Sequence, residues 1–164
     1  MISLVRIRKA SAIKTKYRGS NKEKKELELL KAKRSSLSGK IEKINFDSTY
    51  WKLSKIQLLK ESSGKCAYCE ANTSVVAHGD VEHYRPKSIY WWLAYTYDNY
   101  LFACQICNQV YKSDHFPIEG ILLQEPSISA TSTDFDLGLL LSKLSPDPLA
   151  IDTNFTLKQY LQTH

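Results

Sequence analysis

The sequence predicts a small α+β protein on a four-cysteine metal frame, with basic helices before the frame and an irregular extension after it. Three observations carry this. Two cysteine pairs, Cys66-x2-Cys69 and Cys104-x2-Cys107, have the spacing that gathers four thiolates around one tetrahedral ion. Helix-period apolar stripes precede the first pair. A short apolar run, Leu101-Phe102-Ala103, enters the second pair as a strand would.

Residues 1–19 are basic and weakly patterned, and read as a short strand or extended arm ending near Gly19. A helix is expected over 20–37, capped by Ser20 or Asn21, with Leu27, Leu30 and Leu37 as its apolar stripe. Ser38-Gly39 interrupts. A second helix is expected over 48–62, capped by Ser48 or Thr49, with Tyr50, Leu53 and Ile56 on one face, Trp51 and Leu58 widening it, and Gly64 just past its end. Pro86 should break any ladder passing Arg85. The run Tyr90-Trp91-Trp92-Leu93-Ala94-Tyr95 reads as core for the metal module, the alternative being a base-stacking platform. A helix is expected from about Gln105, carrying Asn108 and Lys112 and ending before Pro117 and Gly120. Residues 124–137 look turn-like, and Leu139–Leu144 suggests a short buried element. The segments are therefore 1–63, basic and mainly helical; 64–120, the cysteine-bounded core; and 121–164, an extension expected to bind a partner or to stop short of a longer parent.

The chain has 164 residues, 43% of them hydrophobic, enough for one domain with flanking arms. It has no apolar run long enough to span a membrane. Its start lacks the basic-then-apolar order of a signal peptide, so a cytoplasmic location is expected. Two disulfides or free thiols are the alternatives to zinc, and the lack of an export signal counts against the disulfides. The net charge of +6 hides a polarity: residues 1–65 hold 18 Lys and Arg against 6 Asp and Glu, and residues 66–164 hold 5 against 11. The basic half reads as a docking surface for a polyanion; alternatively, the halves neutralise each other.

Inside the frame, His83 follows Glu82 and precedes Tyr84-Arg85-Pro86-Lys87. A neutral imidazole suits proton abstraction from water near neutral pH. A phosphodiester needs such a base, a nearby cation and help for its leaving oxygen. Glu82 offers one oxygen ligand to a divalent ion, and Asn108, directly after Cys107, offers a neutral one suited to magnesium or manganese. Asp80 and His78 are further candidate ligands. Lys112, one helical turn after Asn108, can neutralise a phosphate, while Arg85 and Lys87 can hold the backbone on either side. Asn99 reads as a brace for the loop presenting His83. In a strand, Glu82 and His83 point to opposite faces, so a shared site requires a twist or turn there. Each residue also has a plain structural reading: His83 as a packing or surface histidine, Glu82 as a solvated acid, Asn108 as a cap, and His78 as a turn residue. His115 is structural or a late ligand.

The stretches Cys66–Cys69, Gly79–Lys87 and Asp98–Asn108, with Lys112, resemble the HNH, or beta-beta-alpha-metal, endonucleases that carry a four-cysteine zinc frame. The resemblance covers roughly residues 64–118 and looks closest to the HNH subunit of Septu-type anti-phage systems, including those attached to retrons. It implies an HNH ββα-metal core with structural zinc on Cys66, Cys69, Cys104 and Cys107. It also implies His83 as general base, Asn99 as the loop-orienting Asn, Asn108 as the last metal position and Lys112 as the lysine that commonly follows. Glu82 stands where many members have Asp, and no second His follows Asn108 at one-turn spacing. The implied reaction is magnesium- or manganese-dependent hydrolysis of DNA or RNA, leaving 5′-phosphate and 3′-hydroxyl ends. The implied partners are an ABC-type ATPase and, in retron-attached members, a reverse transcriptase with its msDNA. The alternative is a non-catalytic zinc module that binds nucleic acid or recruits the ATPase.

Overall fold

The computed structural model describes residues 4–73, 79–117, 123–145 and 147–149. Helix α1 (Gly19–Leu37) begins where the backbone N–H of Gly19 donates to Asp147 Oδ2 at 2.5 Å, an acid at the end of a helix where exposed N–H groups favour negative charge. Neither Ser20 nor Asn21 caps it. Leu29 and Leu30 are buried; Leu37, expected on the stripe, is 46% exposed because it lies beyond the core.

The helix expected over 48–62 is two: α2 (Ser48–Lys52) and α3 (Lys55–Glu61). Its cap is Asp47, whose side chain accepts from the Thr49 N–H at 3.0 Å. The break has a cause in side-chain hydrogen bonding. Tyr17 Oη donates to the Tyr50 carbonyl at 2.5 Å, and Ser54 Oγ donates to the Trp51 carbonyl at 2.6 Å. Side chains thereby satisfy carbonyls that a continuous helix would pair with later N–H groups. The break re-phases α3, so Leu58 is buried while Ile56, expected on the inner face, is 71% exposed.

Two strands, β1 (Gly79–His83) and β2 (Tyr100–Cys104), pair antiparallel, with Gly79 opposite Cys104 and His83 opposite Tyr100. Gly79 is required: a Cβ there would stand 2.1 Å from the Phe102 ring. The ladder stops at His83, before Pro86. Two 3-10 turns, Trp91–Leu93 and Tyr97–Asn99, fold the aromatic run inward, so it packs as core. Tyr17, Tyr50, Trp92, Tyr97, Tyr100 and Leu137 share one buried cluster, drawn from all three sequence segments.

After β2 the chain winds as a π-helix, Ile106–Lys112, rather than an ordinary α-helix. Its i→i+5 bond runs from the Ser113 N–H to the Asn108 carbonyl at 2.9 Å. The last described element, helix α4 (Asp134–Leu144), starts inside the stretch expected to be turns. Thr133 and Asp136 form a reciprocal capping box there, which fixes the start. Leu137 and Leu144 are buried, whereas Leu139 is 55% exposed.

Part of the basic half is turned on the chain's own acids. Arg6 pairs with Glu61 at 2.7 Å and Arg8 with Asp98, all four buried. Lys22 holds the fully buried Glu26 at 2.9 Å and the Ser145 carbonyl at 2.8 Å. Along α1, Lys33 reaches Glu125 at 2.7 Å, and Lys31 and Arg34 reach Asp134 at 3.0 and 2.8 Å. Neutralisation between the halves joins Lys31 and Arg34 of α1 to α4 and Lys33 to Glu125, whereas Arg6–Glu61 and Lys22–Glu26 are pairs within the basic half. Among the described residues no helix is long and apolar enough to cross a membrane.

Candidate metal centre and cleft

The ligand atoms of Cys66, Cys69, Cys104 and Cys107 all lie within 4.8 Å of one another, and none is in a disulfide. The Cys69 and Cys104 sulfurs are 3.9 Å apart, close to the ~3.8 Å edge of a tetrahedron with zinc–sulfur bonds of about 2.3 Å. The first pair sits on a tight knuckle: the Glu70 N–H donates to the Cys66 carbonyl at 3.0 Å and the Cys66 N–H to the Ala71 carbonyl at 2.9 Å. At the second pair, the Cys107 N–H donates to Cys104 Sγ at 3.4 Å. Burial works to raise the Cys66 thiol, but backbone N–H donors outweigh it and bring it down to about 7. The donor set fits zinc. The Ala67 N–H donates to the Phe102 carbonyl at 2.9 Å, joining the knuckle to β2 and thus to the strand pair carrying His83.

His83 is 6% exposed. Its Nε2 lies 2.9 Å from the Ala94 carbonyl. A carbonyl only accepts, so Nε2 carries the proton and Nδ1 keeps its lone pair. Edge-on rings of Trp51 at 4.8 Å and Tyr100 at 5.2 Å fix the imidazole plane. Burial pushes its pKa down to about 4; the Ala94 bond opposes this, and Lys87 and Lys112 add to it. The ring is therefore neutral over the physiological range. Asn99, fully buried, accepts from the Arg85 N–H at 2.9 Å and donates to the Arg85 and Leu93 carbonyls at 3.0 and 3.2 Å. It pins the backbone just after His83 to the turn that supplies Ala94.

A cleft of about 550 Å³ is lined by Asp80, Val81, Glu82, His83, Lys87 and Asn108, with Trp51 and Lys52 on its other wall. Four consecutive strand residues cannot share one face. Among the described residues β1 pairs on one side only, so backbone as well as side-chain atoms of these residues can border one cleft. Glu82 is 5% exposed. Burial raises its pKa, against Lys112, whose Nζ stands 2.8 Å from Oε1, and against Tyr68, whose Oη donates to the same oxygen at 3.4 Å. Glu82, Asp80 and Asn108 all line the cleft, and each carries a side-chain oxygen of the class magnesium and manganese take.

Other expected residues lie elsewhere. Arg85 is buried, its guanidinium stacked over the Tyr90 and Phe116 rings at 5.0 and 5.1 Å. It therefore does not face the cleft as a phosphate contact. His115 is exposed and does not line the cleft, being carried past it by the turn after the π-helix. His78 lies outside the described residues. Lys87 lines the cleft and lies 5.8 Å over the Trp51 ring. Lys112 is turned inward onto Glu82. Sequence reading missed Trp51, Lys52 and Ser48 as cleft walls and Tyr68 as a partner of Glu82. Spacing carries no signal for them, since α2 reaches the cleft only through tertiary packing.

No family model matches the chain, and no solved structure matches it. Among curated proteins it is similar to Septu protein PtuB of Bacillus mycoides (strain KBAB4), 38% identical over 76 residues, covering 38% of this chain and 26% of the relative. The chain thus spans about a quarter of the length of the curated relative it matches.

Proposed function

We propose that this chain is an HNH-type, metal-dependent endonuclease, acting as the nuclease subunit of a Septu-type anti-phage complex with an ABC-type ATPase. The observation that carries the reading is the His83 tautomer. Its Nε2 proton is committed to the Ala94 carbonyl, which leaves Nδ1 as the ring nitrogen with a lone pair, and the residue lines a cleft together with Glu82 and Asn108. The similarity to Septu protein PtuB supports the assignment to a defence system.

His83 Nδ1 accepts the proton of a water attacking phosphorus, the bond to the 3′ oxygen breaks, and that oxygen takes a proton from solvent water, leaving 5′-phosphate and 3′-hydroxyl ends. The Ala94 carbonyl then steadies the imidazolium that forms, as an acceptor opposite a new positive charge. Substrate phosphate, being anionic, raises the His83 pKa on entry and makes it a stronger base when it is needed. Lys87 and Lys52 face the cleft and hold phosphate oxygens. Asn99 keeps the base in place without touching substrate. A divalent cation held by Glu82 and Asn108 would supply positive charge beside the scissile phosphate and its leaving oxygen.

The test is incubation of wild type and His83→Ala with plasmid DNA and with total RNA, with and without Mn²⁺, alone and with the ATPase. Wild type should cleave one of the substrates only with the cation. His83→Ala should lose at least about a hundredfold of that rate while keeping its zinc. A His83→Ala protein as active as wild type would defeat the base assignment. Cleavage only in the assembled complex would show that the ATPase gates the cleft.

A further inference from the structure

The Lys112 ammonium sits among three oxygens: Glu82 Oε1 at 2.8 Å, the His83 carbonyl at 3.0 Å and the Ser113 carbonyl at 3.2 Å. An ammonium has three N–H donors, and these three acceptors match them. Both charged side chains are withdrawn from water, 11% exposed for Lys112 and 6% for Glu82. Two charges so withdrawn from water are costly unless each meets the other and its remaining hydrogen-bond partners. The backbone is shaped to provide it. The π-helix ends at Ser113, which has φ 41° and ψ −122°, a conformation serine rarely adopts. Its carbonyl is thereby within reach of the ammonium. A lysine serving only to meet phosphate would extend into the cleft, and Lys112 is not among the residues lining it.

We propose that Lys112 is a built-in counter-cation at Glu82, holding the carboxylate in place at rest and releasing it when a divalent cation binds. The inference rests on the nuclease reading of the cleft. Two consequences follow. The resting site binds divalent cations more weakly than its oxygen donors alone would, because the ion must displace an ammonium that already has good partners. The displaced ammonium finds its best new partner in a phosphate, so phosphodiester and cation strengthen each other's binding by linkage. Lys112 is in this sense a positioning residue that limits firm cation binding to a cleft holding substrate.

The test is Mn²⁺ binding, followed by the electron paramagnetic signal of the free ion, at mildly alkaline pH without nucleic acid. Wild type, Lys112→Met, Lys112→Arg, Glu82→Gln and the Lys112→Met/Glu82→Gln pair are compared. Zinc content and near-ultraviolet circular dichroism establish that each variant is folded. Lys112→Met should bind Mn²⁺ about tenfold tighter or more, the size of one charge-assisted hydrogen bond removed from the competitor. Lys112→Arg should stay near wild type, and Glu82→Gln should abolish the site in both backgrounds. A zinc-replete, natively folded Lys112→Met that binds no tighter overturns the proposal while leaving the nuclease reading intact. No Mn²⁺ bound through Glu82 in any of the proteins overturns both. On the unaltered protein, a slowly exchanging lysine ammonium resonance should disappear or shift on saturation with Mg²⁺. Its persistence unchanged would also overturn the proposal.

Discussion

The imidazole of His83 has one proton committed inward, and its burial has a consequence for pH. Its pKa in the folded chain is pushed from the ordinary 6.5 down to about 4. Between those values the unfolded chain binds the proton and the folded chain does not, so folding stability rises with pH across that window. The contribution is complete above the unfolded pKa and is lost as pH falls toward the folded one. The shift corresponds to about 3 kcal/mol. In His83→Gln a neutral amide N–H can still meet Ala94 but cannot titrate. We therefore expect urea unfolding of wild type and His83→Gln to show a stability difference that moves by about 3 kcal/mol against wild type between neutral pH and pH about 4. Glu82, whose pKa burial raises, acts in the opposite sense but in both proteins, and so cancels. A difference that stays flat across the window would mean that the ring does not resist protonation. The cleavage rate should likewise hold down to mildly acidic pH and fall as His83 protonates.

The π-helix after β2 places Asn108 on the cleft and Lys112 beneath it. Its cost is concentrated at Ser113, whose φ of 41° lies where glycine is favoured. Ser113→Gly should relieve that strain, less the entropy glycine adds to the unfolded chain, for a net gain of about 1 kcal/mol. Urea midpoints measure it, and a loss of stability would show that the serine is not strained. This element also marks where sequence reading stops. The strand into Cys104 and the first helix were legible because apolar periodicity and the cysteine pair are local signals. The π-helix was not, because nothing in Ile106–Lys112 distinguishes it from a short α-helix. The split between α2 and α3 was not legible either, since it is imposed by the hydroxyls of Tyr17 and Ser54, one of them distant in sequence. The start of α4 was hidden among Ser, Thr and Asp residues that read as turn but serve here as a capping box.

Charge and burial divide the molecule into two unequal reservoirs of stability. The large aromatic cluster runs from Ile13 through Tyr100 to Leu144 and contains no thiolate. The clusters around the metal frame are small: Ala67 with Leu101, and Cys66 with Ala103 and Cys104. The candidate site straddles the two. Its frame was legible from cysteine spacing, and His83, Glu82 and Asn108 from their order along the chain. Trp51 and the burial of Arg85 were not, because both come from packing between distant segments. This division sets what metal removal should do. A small thiolate module takes much of its folding energy from its ion, whereas the aromatic core holds by burial. Cys104→Ser, or chelation of wild type, should therefore open the chain locally. Amide hydrogen exchange should accelerate at Ala67, whose bond to the Phe102 carbonyl ties knuckle to strand, and along Tyr100–Cys104. Amides of α1 near the fully buried Leu30 should keep their protection. Cleavage should vanish with the zinc, since β2 is the strand that holds β1 and His83 in register. Equal acceleration at Leu30 would show instead that the whole core depends on the four thiolates and folds only with them.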